Sequence, residues 1–420
     1  MKTMANWTSF MPESEIRRLL KVSVPYYFGG GKPGLLPYQT FIDIFRELAD
    51  DYQNQVDQNK TKEINSDLNY GVTLGDVELR QVFSRRFKRV DKVDVPPENV
   101  AISSGSQQIL YGIIDCLCDP GDIIITTRPT YLGFLGCAVK LGTNVITIDG
   151  DLQGIKTDEL EKCLEILDKE GKIGRVKLLY VVPEADNPGG TTIPWDRRQK
   201  IFDLAEKYDF MILEDTAYRE ICWNKPPDPI KTLDKDNTRV IYARTTSKEC
   251  ASIRLGYSAM PTDVIDVFGK LKGNLDLCTP SLTQKIARVY YEKYIDDAIP
   301  AITKAYQKRG EVMTRTMDET FPAGSRTTPD GGFFIWWESE KKFNAADFLE
   351  RVAIPHDVLY VPGGAFYPLR GQAFINDNGG MITNNIILNN TMRLSFSFTD
   401  EDIIRRGISI LGQTLTNELA

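Results

Sequence analysis

The chain has 420 residues, 42% hydrophobic and 26% charged, the composition of an ordinary globular protein with material for two to three domains. Its net charge of -7 arises from 51 basic and 58 acidic residues spread along the whole length with no basic block, so neither nucleic acid nor an anionic membrane surface is an expected partner. The single histidine, His356, excludes most chemistry that sets imidazole beside a second reactive group: serine-hydrolase triads, Cys–His pairs and His-rich zinc sites. No metal is expected, and any proton carrier should be Lys, Tyr or a carboxylate. The seven cysteines lack CxxC or paired spacing and sit mostly in apolar runs, which reads as buried free thiols in a reducing compartment. Residues Met1 to Trp7 contain no apolar leader, and no run of about 18 apolar residues occurs, so the expectation is cytoplasmic with no membrane partner.

Along the chain, residues 1–55, rich in Gly and Pro around Gly29 to Pro37, read as an N-terminal segment packing on the smaller of two domains. Residues 56–295 read as a large α/β domain. Its expected strands are Asn99 to Ser103, Asp122 to Thr126, Val176 to Val182, Phe210 to Leu213, Val240 to Ala243 and Gly256 to Met260, with helices such as Ser106 to Cys118 and Arg197 to Tyr208 between them. Near-continuous apolar strands separated by helices predict a mostly parallel sheet covered on both faces. Residues 296–420 read as a small α+β domain: long helical patterns (Ser281 to Tyr294, Ile299 to Phe321), a strand at Gly332 to Trp337, a helix at Ala345 to Val352, strands at Val358 to Val361 and Thr391 to Phe396, and a last helix from Asp400 to Leu415.

Several motifs fall at strand ends. Met211-Ile212-Leu213-Glu214-Asp215 runs from apolar strand into acid, placing Asp215 where parallel sheets bind ligands, although strand-end acids also cap helices. Val240 to Ala243 leads into Arg244-Thr245-Thr246-Ser247-Lys248, a hydroxyl cluster and one lysine, suited to a phosphate or a Schiff base but also to a solvated surface. Ser103-Ser104-Gly105-Ser106-Gln107 follows a strand and opens a helix, a phosphate site or a plain N-cap. Asn187-Pro188-Gly189-Gly190 could be only a turn. Gly29-Gly30-Gly31-Lys32 fails as a P-loop, because Pro33 stands where Ser or Thr is needed and Tyr26 where the first glycine is needed.

Together these are more specific than singly. Ser104-Gly105-Ser106-Gln107-Gln108, Pro129-Thr130-Tyr131, Glu214-Asp215-x-x-Tyr218, Ser247-Lys248, Val361-Pro362-Gly363-x-Ala365-Phe366-Tyr367 and Arg393-x-Ser395-Phe396-Ser397 resemble the fold-type I pyridoxal 5′-phosphate enzymes of the aspartate aminotransferase superfamily, and within it the kynurenine/2-aminoadipate aminotransferase group. The likeness runs from about Tyr27 to the C-terminus. It implies a fold-type I architecture, pyridoxal 5′-phosphate as cofactor, amino-acid and 2-oxo-acid substrates, and a homodimer. It also implies that Lys248 carries the cofactor, Asp215 pairs with its ring nitrogen, Tyr218 and Asn187 bond its 3′-oxygen, and Tyr131 stacks on its ring. Ser106, Gln107, Thr245, Ser247 and Arg254 would hold the phosphate, joined by Tyr70 of the other subunit. Arg393, with Asn187 and Gly31 beside it, would hold the substrate carboxylate.

Three departures accompany the likeness. Gly189 replaces the usual threonine, the stretch from Lys248 to Arg254 is short, and the group's N-terminal substrate-binding arginine has only Arg17 and Arg18 as counterparts. Transamination is the leading expectation, favouring aromatic or long side chains. The alternative is a lyase or other side-chain chemistry with the same cofactor. A regulator with a DNA-binding module is not expected, since fewer than about 30 residues precede Gly29, and no GxGxxG follows a strand to suggest a nicotinamide enzyme.

Overall fold

The structure is a computed structural model and describes residues 4–9, 11, 13–377 and 379–420; Met1 to Thr3, part of the stretch read as lacking a leader, lie outside the described residues. No helix among the described residues is long and apolar enough to cross a membrane.

A large sheet organises the molecule. Across it lie Met381–Asn384, Gln372–Ile375, Asn144–Asp151, Ile123–Arg128, Val176–Val181, Met211–Asp215, Val240–Thr245, Gly256–Ala259 and Val100–Ser103. The central pairings are parallel, and Gly256–Ala259 and Met381–Asn384 run against their neighbours. Alternation along the apolar strands feeds two cores: Leu179, Val181 and Ile212 pack on one face, Leu178, Tyr180 and Leu213 on the other. This is why these strands carry almost no polar residues.

Two strands of this sheet, Gln372–Ile375 and Met381–Asn384, come from inside the stretch 296–420 assigned from sequence to the small domain. Their polar flanks and short length gave no sign of a return to the large sheet. The N-terminal segment also divides. Tyr26–Tyr27 pairs with Val358–Leu359 and Leu19 enters the small-domain core, whereas the helix Tyr38–Asp57 packs Phe41, Ile44 and Leu48 onto the large body, with Phe41 stacked on Tyr290 at 5.3 Å. That helix buries only a narrow stripe in an otherwise polar sequence.

The smaller sheet has the order Gly324–Arg326, Phe334–Ser339, Thr391–Ser395, Val361–Pro362, backed by Ile295–Thr320 and Glu401–Leu419. The helix expected from Ile299 begins at Ile295 and continues through Pro300, a residue that otherwise argues for a break. All seven cysteines are free, but only Cys137 and Cys163 are buried; the others are half-exposed at helix edges and turns.

Candidate active site

The carboxyl ends of the parallel strands converge, as parallel α/β sheets require for a ligand cleft. Ser103 ends one strand and leads to the helix Ser106–Leu117; Tyr131 follows Ile123–Arg128; Asn187 follows Val176–Val181; Asp215 ends Met211–Asp215; Lys248 follows Val240–Thr245. Arg393 enters from the small sheet, paired with Trp336 and Val361, its neighbours Met392 and Leu394 turned into the small-domain core.

Asp215 is 4% exposed. Its Oδ2 accepts from the Tyr180 hydroxyl at 2.9 Å, while Oδ1 is buried without a partner. Burial pushes its carboxyl up to about 6, against the pull of Tyr180 and Lys248. The Lys248 amine stands 4.5 Å from the Tyr218 ring centroid and 5.6 Å from that of Phe333, and burial pushes it down to about 8. Tyr218 is buried and its hydroxyl is held above the ordinary tyrosine range by desolvation.

Arg393 is completely buried. Nη1 donates to Asn187 Oδ1 at 2.7 Å, Nη2 donates to the Gly29 carbonyl at 2.6 Å, and Nε has no partner. Its guanidinium lies 4.1 Å from the Phe334 ring centroid and 5.0 Å from that of Phe366. Among the described residues no carboxylate pairs with it, and desolvation pushes it down to about 10. A Cβ on Gly31 would sit 3.2 Å from the Phe334 ring, which would have to give by a few tenths of an ångström.

A second group forms a cup. Gly105, at φ +79°, is the N-cap of the helix opened by Ser106, whose first amides have no intrahelical acceptor. A Cβ on Gly105 would sit 2.5 Å from the Arg254 guanidinium, and one on Gly256 would sit 2.5 Å from Ser106 N. Arg254 donates to Ser247 Oγ at 3.3 Å, and Thr245 Oγ1 donates to the same oxygen at 2.8 Å. The short stretch after Lys248 therefore still returns Arg254 to Ser247, through the turn Ala251–Ile253 and a left-handed Arg254. Gln107 contributes differently from expectation. Its side chain bonds Gly133 O, Cys137 Sγ and the Tyr131 hydroxyl, which leaves its main-chain N–H for an anion.

The other departures also have physical causes. A Cβ on Gly189 would sit 2.8 Å from Asp186 Oδ1, and the Asp186 carboxylate instead takes the Gly189 and Thr191 amides and the Thr191 hydroxyl. Arg18 is already paired with Glu15 at 2.6 Å and Glu350 at 2.7 Å, and Arg17 is exposed. Tyr70, 81% exposed, lies outside the cleft of its own chain. His356 is bonded to the Val352 carbonyl.

Sequence reasoning missed Tyr180 and Phe334. The signal for Tyr180 was present: one hydroxyl in the run Leu178-Leu179-Tyr180-Val181 must find a partner when buried. Phe334 gave no such signal, because nothing separates it from its core neighbours.

Residues 37–376 match the family described as aminotransferase class I and II. Aromatic-amino-acid aminotransferase 1 of Thermococcus litoralis is 34% identical over 97% of this chain and 93% of its own length. The structure of Pyrococcus horikoshii kynurenine aminotransferase superposes with a TM-score of 0.87 at 33% identity, covering 99% of this chain and 98% of that one. The multiple substrate aminotransferase of Thermococcus profundus gives 0.86 at 33%, with the same coverage.

Proposed function

The chain belongs to the class I and II aminotransferases, and we propose that it moves an amino group from an α-amino acid to a 2-oxo acid such as 2-oxoglutarate, with pyridoxal 5′-phosphate as cofactor. A lyase outcome is not favoured, since the relatives are transaminases.

The site fits that cofactor. The bare Asp215 Oδ1, the buried Lys248 amine over the Tyr218 ring and the glycine-lined cup around Ser106 and Arg254 offer, in order, an acceptor, a nucleophile and a phosphate seat. Bound there, pyridoxal phosphate supplies an electron sink for the charge left when the substrate loses its Cα proton. Asp215 holds the proton at the ring nitrogen. Arg393 donates to the Asn187 amide oxygen, which leaves the Asn187 NH2 and the Tyr218 hydroxyl as the groups that would hold the ring 3′-oxygen. Tyr131 would stack on the ring. Ser106, the Gln107 amide, Thr245, Ser247 and Arg254 hold the phosphate. Lys248, brought near neutrality by burial, accepts and returns the proton at Cα.

Arg393 is the observation that carries this reading. A fully buried guanidinium with only neutral partners is costly unless an anion joins it. The α-carboxylate of an amino acid, with Gly31 beside it, supplies the charge and the bidentate fit. Of the two counterparts to the group's substrate-binding arginine, Arg18 is paired with two carboxylates and Arg17 is exposed to solvent. That supports aromatic or long apolar side chains over dicarboxylic ones, in line with the aromatic-amino-acid and kynurenine relatives.

A homodimer is part of the proposal. Tyr70, Leu68 and Val72 stand exposed together on one loop, with Tyr38, Ile42 and Phe45 exposed on a neighbouring helix; a second copy would cover them and bring Tyr70 of the partner subunit to the phosphate. The free cysteines suit a reducing, cytoplasmic setting. The test is to incubate the holoenzyme with single amino acids and 2-oxoglutarate while measuring glutamate, ammonia and pyruvate separately. Glutamate without ammonia is expected, fastest with kynurenine or phenylalanine. Ammonia as the main product would overturn the assignment.

A further inference from the structure

Behind the cleft runs an alternating chain of buried charges. Glu184 takes Arg198 at 2.8 Å and Arg219 at 2.5 Å; Asp91 takes Arg219 at 2.8 Å and Arg244 at 2.6 Å. Glu220 takes Arg244 at 2.6 Å and Arg86 at 2.8 Å, and Arg86 ends on Asp296 at 2.9 Å. Arginines 198, 219, 244 and 86 meet carboxylates 184, 91, 220 and 296, so the chain is neutral within itself, and Glu214 lies beside it, 4.0 Å from Arg198. At Glu184 it stops. The next residues, Ala185 to Thr191, carry Asn187 into the cleft and are held by other means.

Their backbone is demanding. Ala185 is left-handed, at φ +43°, a strained conformation for a residue with a side chain. Gly190, at φ +69°, passes so close to the Phe334 carbonyl that a Cβ would strike it, and a Cβ on Gly332 would sit 3.0 Å from that of Ala185. The turn is thus wedged against the small-domain strand whose Phe334 ring lies 4.1 Å from the Arg393 guanidinium. Asp186 closes it. Oδ1 accepts from the Thr191 amide and hydroxyl, both at 2.7 Å, and Oδ2 accepts from the Gly189 amide at 3.1 Å. The Asp186 amide donates to the Thr191 carbonyl at 3.1 Å and the Gly190 amide to the Asp186 carbonyl at 2.8 Å. Asn187, between these bonds, is 5% exposed, and its Oδ1 takes Arg393 Nη1 at 2.7 Å.

We propose that Asp186 is a positioning residue for amino transfer, its carboxylate locking the turn that presents the Asn187 amide to Arg393 on one side and to the cofactor's 3′-oxygen on the other. The second half rests on the proposed seat of the cofactor. A carboxylate suits the lock because all three groups that meet it are donors, whereas an amide side chain offers a single acceptor oxygen. Gly189 belongs to the same device. A Cβ there would sit 2.8 Å from Oδ1 and 3.1 Å from Oδ2, so a side chain at 189 and the carboxylate at 186 exclude each other.

The test is the pH midpoint of the holoenzyme's visible absorbance, which reports how firmly the cofactor's 3′-oxygen holds the proton beside it; each donor to that oxygen loosens the hold and lowers the midpoint. Asp186→Ala should raise the midpoint by about half to one pH unit, the worth of one hydrogen bond, and should raise KM for phenylalanine about three- to tenfold through the loosened contact to Arg393. Asp186→Asn keeps an acceptor for Thr191 and should move both by less. Gly189→Ala should act like Asp186→Ala, by displacing the carboxylate, and should add almost nothing in an Asp186→Ala background. A midpoint unmoved in folded Asp186→Ala and Gly189→Ala variants overturns the proposal, whatever happens to melting temperature. If Asp186→Ala does not fold, Asp186→Asn and Gly189→Ala decide. Asn187→Ala is the reference. A midpoint that moves with Asn187→Ala but not with the Asp186 variants is the failure of this proposal alone, whereas one that Asn187→Ala leaves in place removes Asn187 from the 3′-oxygen and this proposal with it.

Discussion

Asp215 and Glu214 are consecutive residues on one strand, yet their surroundings obey opposite rules. Alternation turns Glu214 toward the ionic chain, where two main-chain amides meet its oxygens; it turns Asp215 into the cleft, where one phenol meets one oxygen and the other is bare. The same contrast separates Arg244, held by Asp91 and Glu220, from Arg393, held only by an amide and a carbonyl. Both pairs are buried. Atoms without a hydrogen bond occur on both sides, Glu184 Oε2 and Arg244 Nη2 among them, but Arg244 meets two carboxylates and Arg393 none, so a buried cation without an opposite charge, rather than burial itself, marks the functional side.

The contrast breaks most sharply at Lys248. Lys248→Ala should abolish glutamate formation and prevent borohydride from fixing cofactor to the chain, while leaving the urea midpoint of the cofactor-free protein equal or higher, since a desolvated amine is removed. Label on a different lysine would undo the whole site. On the opposite side, Glu184→Gln strips the shared carboxylate from Arg198 and Arg219. A loss of about 3–5 kcal/mol of stability is expected, as for other half-removed buried pairs, with KM for the amino acid little changed in whatever folds. A variant of normal stability and raised KM would reverse the two roles.

Much of the cleft could be read from sequence because its residues sit at the ends of apolar strands, where the chemistry of Asp215, Lys248 and Asn187 contrasts with the run before it. The ionic chain could not. Asp91, Glu184, Arg219 and Arg244 lie in unremarkable surroundings, and only the fold brings residues this distant in sequence within 3 Å. The Gln372–Ile375 and Met381–Asn384 strands were hidden for a related reason: the hairpin joins the large sheet through Gln372–Ile375, whose partner Asn144–Asp151 lies more than 200 residues earlier. Arg393 was legible through its alternation with Leu394 and Phe396, although Phe334 beneath it was not.

Arg393→Lys probes the cleft side at smaller scale. The ammonium keeps the charge but loses the fork, and with it one of the contacts to Asn187 Oδ1 and Gly29 O. Amino-acid binding should weaken by roughly 1.5–3 kcal/mol, the range for a hydrogen bond to a charged group. Turnover should fall too, because Asn187 is no longer fixed. Steady-state kinetics with phenylalanine read both effects, and unchanged KM and kcat would remove Arg393 from the site.

The final expected effect tests whether the cleft is short of partners by construction. The Asp215 carboxyl has its proton affinity raised in the fold, to about 6 from 3.8. A group shifted in that direction favours the folded state when protonated. Its contribution is fully present below 3.8 and is lost as pH rises through about 6. At neutral pH the cofactor-free protein therefore holds an ionised, half-satisfied carboxylate at a cost of about 3 kcal/mol. Asp215→Asn replaces it with a neutral group that can still accept from Tyr180. The cofactor-free variant should be more stable than the parent to urea near pH 7.5, and the difference should shrink toward zero near pH 4. With cofactor bound the order should reverse, because the carboxylate then gains the ring proton that an amide cannot hold, and glutamate formation should fall sharply. A variant less stable at both pH values would mean that Asp215 belongs with Glu214, among the charges that hold the fold.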